Sequence, residues 1–279
     1  MDDTTGSILV AYDGSTDADL ALAWAAESAR LFHQSVDVAI IDDPGALPGA
    51  AWWPDDHWEE VEQRATRGLR AAGVDHSSVE RRHGTVVPAL IDLARQAPLL
   101  VVGSRGHGRA GEIFIGSVSQ HLARHAPCPV VVVRPAASSD AKRIVVGVDG
   151  SSASRAAVGF ACRRARVTGE KVTAVRAADF GPVLLDRRGL PPEELGTFLT
   201  DQERQLAESM GDLVEAHPDV DVESEFIALR PAEALVGASR HASLVVVGSR
   251  GLNPFAGLLL GSVSHDVLHR ALCPVAVVR

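Results

Sequence analysis

The sequence is poor in aromatic residues, cysteine and basic charge, and each shortage excludes a class of protein. Aromatic side chains make up 4% of the 279 residues, and the formal net charge is −9. This negative balance argues against general binding of nucleic acids or membrane surfaces, because positive fields attract those partners. Three cysteines, two of them at equivalent places in a repeat, make neither a disulfide framework nor a metal-ligand cluster.

A long apolar run is also missing near the amino terminus. Residues 1–7 are acidic and polar, and no long apolar stretch follows them. We therefore expect neither a signal peptide nor a transmembrane helix, and we expect a cytoplasmic location. The length and the 46% hydrophobic content predict about two globular domains, each with its own core.

The sequence does contain a repeated glycine-rich stretch. Residues 103–106 read GSRG and residues 116–119 read GSVS, and both motifs recur 145 positions later at residues 248–251 and 261–264. Nine residues separate the two motifs in each copy, an apolar run precedes them and a Cys-Pro-Val triplet follows. Two copies in register argue against a chance match.

Each half of the chain shows the same order of elements, five strands alternating with four helices. This order predicts an α/β fold in which right-handed crossovers build a parallel sheet covered on both faces. We predict domains at residues 1–137 and 142–279, joined by a short linker. The Asp-Gly-Ser triplets that begin at Asp13 and Asp149 are only 136 positions apart, so the second half carries nine extra residues, which we place around residues 180–199.

The glycine-rich stretch has the chemistry of an anion site. Glycines let a ligand approach the backbone N–H groups, and Ser117 or Ser262 lies where a helix cap is expected. The first turn of a helix leaves N–H donors unpaired, and the helix dipole adds about half a positive charge, so phosphate is favoured there. A single loop of this kind is equally consistent with a tight turn from strand to helix.

The early aspartates complete the prediction of a site. In open parallel sheets the ligand crevice lies at the carboxyl ends of the strands, where the strand order reverses. If the first and fourth strands of each half are neighbours, Asp13 flanks one crevice with Gly103, and Asp149 flanks another with Gly248. A carboxylate accepts hydrogen bonds from ribose hydroxyls while loop N–H groups bind phosphates. This arrangement predicts a nucleotide site in each half.

The pattern G-x-x-G-(x)9-G-S after an apolar strand, together with an early strand that ends in Asp-Gly-Ser, resembles the ATP-binding branch of the universal stress protein family. Both halves match, so the resemblance covers the whole chain. It implies two tandem five-stranded parallel-sheet domains, Rossmann-like, with strand order 3-2-1-4-5. It also implies ATP in each crevice, with or without Mg²⁺, and pairing of the last strands between the domains.

The resemblance also implies which residues bind ATP. Asp13 and Asp149 would bind the ribose or groups on the adenine side, and backbone near Ile40 and Arg176 would contact adenine. The remaining residues implied to bind the phosphates and ribose are Gly103, Gly106, Gly116, Ser117, Val118 and Ser119 in the first repeat, and Gly248, Gly251, Gly261, Ser262, Val263 and Ser264 in the second. Arg105 and Arg250, inside the same motifs, are separate candidates for phosphate contact, although an arginine in an exposed loop is often merely solvated.

The last strands raise the question of partners. The runs Val130–Val133 and Val275–Val278 are strongly apolar, and an exposed apolar sheet edge invites pairing. The simplest cover for each run is the other repeat, which predicts pairing of the two repeats within one chain. A homodimer of chains and an unidentified protein partner are further expectations.

Several functions share this architecture. We expect a nucleotide-dependent stress and signalling regulator with no catalytic residues and at most slow ATP hydrolysis or autophosphorylation. A nucleotide-handling enzyme of a related fold would carry a Ser-Gly-Gly-x-Asp-Ser loop after the first strand, which this sequence lacks. A scaffold that binds no nucleotide remains the alternative, disfavoured by intact motifs in both halves. A flavodoxin-like carrier is disfavoured by the low aromatic content.

Two histidine-containing features carry less weight. His121 and His125 fall on one face of a predicted helix without acidic or cysteine ligands nearby, which favours a solvated face over a zinc site. His107 and Arg109, in the loop between the first pair of glycine motifs, add positive charge that the second loop lacks. On this basis we expect unequal nucleotide affinities, with the first site the tighter.

Overall fold

The computed structural model describes residues 6–43, 55–74, 76–106, 115–138, 140–179, 196–197, 200–201, 204, 206–208, 210–252 and 259–279. The chain divides into two compact units. The first contains Met1–Pro135 and Pro274–Val277, and the second contains Ala136–Cys273 and Val278–Arg279. The predicted insertion near residues 180–199 and the loop residues His107 and Arg109 lie largely or wholly outside the described residues.

Strands and helices alternate in the first unit. The strands are β1 (Ile8–Ala11), β2 (Val36–Asp42), β3 (Ser77–His83), β4 (Leu100–Gly103) and β5 (Val130–Val133). The helices are α1 (Thr16–Phe32), α2 (Asp55–Ala71), α3 (Val86–Ala94) and α4 (Ser117–His125).

The sheet of the first unit confirms the predicted strand order. Its five strands run in the order β3-β2-β1-β4-β5, and all four pairings among them are parallel. The last strand of the chain, β10 (Val275–Val278), pairs antiparallel with β5, with Val275 opposite Val132 and Val277 opposite Val130. The expected pairing of the two apolar last strands is therefore confirmed, and it removes an exposed edge of valines.

The second unit repeats this plan. Its strands are β6 (Arg143–Gly147), β7 (Lys171–Ala177), β8 (Val222–Ile227) and β9 (Leu244–Gly248), parallel and in the order β8-β7-β6-β9. Its helices include α5 (Ser152–Thr168), α6 (Gly211–Glu215), α7 (Pro231–Ala238) and α8 (Ser262–Arg270), and a 3-10 turn covers Ser239–His241.

Small and β-branched residues explain the close packing of helices on the sheets. Strands β1, β4 and β5 are buried along their whole length, and most of their residues are valine, leucine or isoleucine. Helix α1 meets them through a face of buried alanines, so its backbone can lie close to the strands. The side chain of Ser15 caps α1 by accepting from Ala18 N, and that of Ser151 caps α5 by accepting from Ser154 N.

Some element boundaries differ from the sequence prediction. Strand β3 spans seven residues, Ser77–His83, whereas the sequence predicts only a short strand at Val79–Arg82. It is longer because every one of these residues pairs with β2, although all seven are partly or fully exposed. All three cysteines, Cys128, Cys162 and Cys273, are buried and free.

The described residues contain neither a candidate membrane span nor a candidate metal-binding cluster. No helix there is both long and apolar enough to span a membrane. The same part of the chain contains no group of three His, Cys, Asp or Glu residues arranged to hold a metal ion. His121 and His125 do stack on α4, with ring centroids 6.2 Å apart, and both are exposed.

Candidate functional site

The sheet pairing brings each early aspartate beside a glycine loop. Strand β1 pairs with β4, and β6 pairs with β9, both in parallel. Asp13 lies two residues after the end of β1, and Asp149 lies two residues after the end of β6. Gly103 and Gly248 are the last residues of the partner strands. The condition for a shared crevice at the carboxyl ends of these strands is therefore met in both units.

In the second repeat, the Asp149 carboxylate links two loops. Its Oδ1 accepts a hydrogen bond from Ser151 N at 2.9 Å, and its Oδ2 accepts one from Leu252 N at 3.1 Å. A Cβ atom placed on Gly251 would lie 2.5 Å from Asp149 Oδ2, closer than a real side chain permits. Glycine is needed at this position so that the carboxylate can reach the loop backbone.

The pKa of Asp149 is lowered from its ordinary value by this arrangement. Burial by itself acts in the opposite direction and raises the pKa. Hydrogen bonds from the side chain and backbone of Ser151, the side chain of Ser154 and the backbone of Leu252 outweigh it, because they favour the charged carboxylate. Asp149 is therefore an ionised acceptor at neutral pH.

Asp13 has the same setting in the first repeat. Its Oδ1 accepts from Ser15 N at 3.0 Å, and a Cβ on Gly106 would lie 2.3 Å from its Oδ2. The Ser15 hydroxyl donates to Arg105 O at 3.3 Å, as the Ser151 hydroxyl does to Arg250 O at 3.4 Å. Each first loop is thus tied to the glycine loop of its own repeat.

The first glycine of each motif packs a helix against a strand. A Cβ on Gly103 would lie 2.6 Å from the carbonyl carbon of Asp17, and one on Gly248 would lie 2.8 Å from that of Ala153. Any larger residue would push α1 or α5 off the sheet. These two glycines are therefore required by the fold itself, whether or not they also contact a ligand.

A serine in the first turn of each following helix fixes the strand end. The hydroxyl of Ser119 donates to Gly103 O at 2.7 Å, and that of Ser264 donates to Gly248 O at 2.6 Å. Both side chains are buried. Their hydroxyl protons are committed to these carbonyls, so a ligand would meet these two residues through backbone N–H groups.

The expectation that Ser117 and Ser262 cap these helices is wrong. The N-cap residues are Gly116 and Gly261, which have extended backbone and provide no side-chain cap. Their own N–H groups donate to Ser104 O at 2.7 Å and Ser249 O at 2.8 Å, and this places the glycine, one residue earlier, at the cap. Ser117 and Ser262 become the first helical residues and are exposed.

Missing side-chain caps leave the helix starts open to an anion. The first N–H groups of a helix have no partner within it, and here no capping hydroxyl takes them. In α8 these donors belong to Ser262, Val263 and Ser264, and in α4 to Ser117, Val118 and Ser119. Neither helix has an acidic residue in its first turn to oppose an anion.

In the second repeat, all eight predicted site residues line one cleft of about 250 Å³. They are Asp149, Gly248, Arg250, Gly251, Gly261, Ser262, Val263 and Ser264. The sequence prediction missed the rest of the wall, which consists of Gly147, Val148, Ser154, Val175, Ala177, Pro231, Leu235 and Val247.

The predicted adenine-side positions are only adjacent to this wall. Arg176 itself does not line the cleft, but its neighbours Val175 and Ala177 do, because alternate residues of a strand face the same side. Val175 and Ala177 could have been predicted from two facts: alternate residues of β7 face the same side of the sheet, and β7 pairs with β6. In the first repeat, Ile40 is fully buried within β2.

Comparison with known proteins places these features in a family. The sequence profile described as "Universal stress protein family" matches residues 5–134 and 141–279. The chain belongs to the universal stress protein family. This membership supports a role in the stress response, and it agrees with the tandem plan of the two repeats.

Named relatives match almost the whole chain. A universal stress protein of Mycobacterium bovis is 33% identical over 291 residues, covering 98% of this chain and 96% of the relative. One from Mycobacterium tuberculosis is 34% identical over 289 residues, with coverage of 98% and 96%. The crystal structure of a universal stress protein from Archaeoglobus fulgidus has a TM-score of 0.70 at 19% identity, covering 100% of this chain and 99% of that one, and it supports the fold alone.

Proposed function

We propose that this universal stress protein binds ATP, and that the second-repeat cleft beside Asp149 is a working nucleotide site. The observation that carries the proposal is the convergence of all eight second-repeat residues on a single cleft. These eight positions follow from the sequence motifs and the family resemblance, and all eight line the cleft. Its two ends also differ in chemistry in the way that a nucleotide requires.

One end of the cleft is suited to a nucleoside. Val148, Val175, Ala177 and Leu235 supply apolar surface for a base. Asp149 lies beside them as an ionised acceptor, and a carboxylate has lone pairs left after accepting from Ser151 N and Leu252 N. Ribose hydroxyls are donors of the matching kind.

The other end is suited to phosphates. The open N-terminus of α8 offers unpaired N–H groups and the positive end of a helix dipole. Arg250 lines the same cleft, and its guanidinium is a strong partner for phosphate oxygens. Gly251 and Gly261 have no side chain, so phosphates can approach the backbone there.

The same chemistry favours binding over turnover. Efficient proton abstraction needs a base whose pKa is close to the working pH. Asp149 is the single carboxylate among the described residues that line the cleft, and its lowered pKa makes it a weak base. We infer a regulator in which bound ATP shifts the equilibrium between two states of the protein, to the extent that it binds one of them better. A homodimer and a cytoplasmic location stay predictions.

The test is to denature the purified full chain and to identify the released nucleotide by chromatography and mass spectrometry. Nucleotide-free protein is then heated with and without ATP, in the presence and absence of Mg²⁺. We expect ATP in the released fraction and a higher Tm when ATP is added, because a ligand of the native state stabilises it. Finding neither bound nucleotide nor a change in Tm would favour the scaffold alternative.

Gly261→Ala is the matched variant that should lose ATP binding while it keeps the fold. A Cβ at this position would have no neighbour closer than 3.6 Å, so the substitution is compatible with the fold. The added methyl faces the Ser249–Gly251 loop across the helix start. We expect the variant to keep the Tm of the nucleotide-free protein and to lose most of the increase caused by ATP.

A further inference from the structure

We propose that Asp17 weakens nucleotide binding in the first repeat by occupying Arg105, so that the second repeat is the higher-affinity site. Arg105 and Arg250 hold equivalent places in the two glycine motifs. The residue equivalent to Asp17, 136 positions later, is Ala153. The inference rests on the proposed function, and it concerns how the two repeats share that function.

Asp17 is held against the first glycine loop by two contacts. Its Oδ2 accepts a hydrogen bond from the Ser104 hydroxyl at 2.5 Å and one from Arg105 Nε at 3.2 Å. The carboxylate side chain is 11% exposed, whereas the Arg105 side chain is 42% exposed. Partial burial strengthens this ion pair relative to one in open water. A phosphate would therefore have to compete with Asp17 for the guanidinium.

The second repeat lacks this competitor. Ala153 has no charge, and Ser249 and Arg250 follow β9 as Ser104 and Arg105 follow β4. The Arg250 guanidinium makes no hydrogen bond or ion pair to any residue in the described part of the chain, and the residue lines the cleft. Its charge is available to an anionic ligand at no cost to an existing pair.

The surrounding charges act in the same direction. The first turn of α1 contains two acidic residues, Asp17 and Asp19, whereas the first turn of α5 contains none. The position equivalent to Asp19 is Arg155. Asp19 is paired with Arg64 of α2, so its charge is partly compensated, and Asp17 remains the main difference beside the loop. Like charges near a site disfavour an anion.

This ranking is the reverse of the one expected from His107 and Arg109. Those two residues lie outside the described part of the chain, so their position relative to the first loop plays no part in the inference. The contacts of Asp17 are between described residues, and they act on the arginine of the motif itself.

Calorimetric titration of the nucleotide-free full chain with ATP tests the inference. Gly261→Ala is expected to disable the second site so that the first is measured alone, and Gly116→Ala is expected to do the reverse. Both variants should keep the fold, because neither added Cβ meets an atom closer than 3.4 Å. In the Gly261→Ala background, Asp17→Ala is expected to tighten ATP binding by about tenfold, which corresponds to about 1.4 kcal/mol. In the Gly116→Ala background, Ala153→Asp is expected to weaken it by a similar factor.

Asp17→Asn separates charge from shape. Asparagine keeps the size of the side chain and an acceptor for the Ser104 hydroxyl, but it removes the charge that holds Arg105. It should reproduce most of the gain seen with Asp17→Ala. Unchanged ATP affinity in both Asp17 variants, with their Tm values retained, would overturn the inference and leave the proposed function standing. Absence of ATP binding in the unsubstituted chain and in every variant would overturn both.

Discussion

The two repeats share the hydrogen bonds that hold the described parts of their glycine motifs and differ in the charges beside those motifs. Asp13 and Asp149 both accept from the N–H two residues ahead, and Ser119 and Ser264 both hold the carbonyl at the end of a strand. These contacts require particular residue types at fixed spacing, so they recur. The charges on the first helix of each repeat are under no such constraint.

The comparison shows that a sequence motif repeated within one chain can have different neighbouring side chains in its two copies. Tyr12, whose hydroxyl donates to Asp19 at 2.5 Å, stands where the second repeat has the cleft-lining Val148. Asp17 likewise stands where the second repeat has Ala153. Two side chains of the first repeat are thus engaged in contacts within the protein at positions that are apolar in the second.

The largest expected loss of stability comes from a glycine substitution that should have the same effect in both repeats. Gly103→Ala and Gly248→Ala each force a methyl to within 3 Å of helix backbone, at 2.6 Å and 2.8 Å respectively. We expect each to lower the free energy of unfolding by about 3 kcal/mol through overpacking. Urea denaturation followed by circular dichroism measures the loss. A loss no larger than that of Gly116→Ala would contradict the packing role.

The serine contacts should give the next largest effect, again in both repeats. Ser119→Ala and Ser264→Ala remove a buried hydrogen bond to a glycine carbonyl, which should lower the free energy of unfolding by about 1–2 kcal/mol each. Ser117→Ala is the control, because this residue is exposed. It should stay within about 0.5 kcal/mol of the unsubstituted protein. Equal losses at all three positions would contradict this account.

Tyr12 allows the first repeat to be observed by itself, because it is the single tyrosine of the chain and the second repeat has Val148 at the equivalent position. Burial, followed by the hydrogen bond to Asp19 and the charge of Asp19, raises its pKa above the ordinary value near 10. Because the native pKa is the higher one, this contribution to stability is present below the unfolded pKa and is lost as pH rises toward the native value.

The ultraviolet absorbance of the phenolate follows this titration without interference from another tyrosine. We expect the native protein to titrate at higher pH than the urea-unfolded chain, and Asp19→Asn to reduce the difference. Tyr12→Phe should lower the free energy of unfolding by about 1 kcal/mol. Identical titration of the native and unfolded protein would be inconsistent with the Tyr12–Asp19 contact.

The smallest expected effect is the contribution of Asp149 to the loss of stability at low pH. Its native pKa is lowered, so its contribution to stability is present above the unfolded pKa and is lost as pH falls through the native value. Asp149→Asn removes the titrating group. The drop in urea midpoint between about pH 6 and about pH 3 should therefore be smaller in the variant. An unchanged drop would show that the carboxylate gains nothing from its hydrogen bonds.

Local sequence patterns were enough to predict the alternation of strands and helices and the pairing of the apolar last strands. The strand order 3-2-1-4-5 and most of the second-repeat site residues came from the family resemblance. The apolar runs are continuous, and the glycine motifs lie immediately after them. Exact element ends were less predictable, as Ser77–His83 illustrates, because that strand forms through pairing with β2 and not through an apolar pattern of its own.

Contacts distant in sequence were missed. Asp17 and Ser104 are 87 positions apart, and nothing in the pattern around either residue signals their hydrogen bond. The hydroxyl of Ser264 donates to Gly248 O, and no pattern around this residue signals that contact. The apolar wall formed by Val175 and Leu235 depends on strand order and helix packing together. Such features follow from the assembled sheet and not from motif spacing.

The central claim is that the second repeat binds ATP more tightly than the first, and native mass spectrometry of the full chain titrated with ATP tests it most directly. The unsubstituted chain should bind one ATP at low concentration and a second only at higher concentration. Gly261→Ala should abolish the first binding event, and Gly116→Ala should leave it intact. Loss of the tighter event in Gly116→Ala, with Gly261→Ala unaffected, would contradict the account.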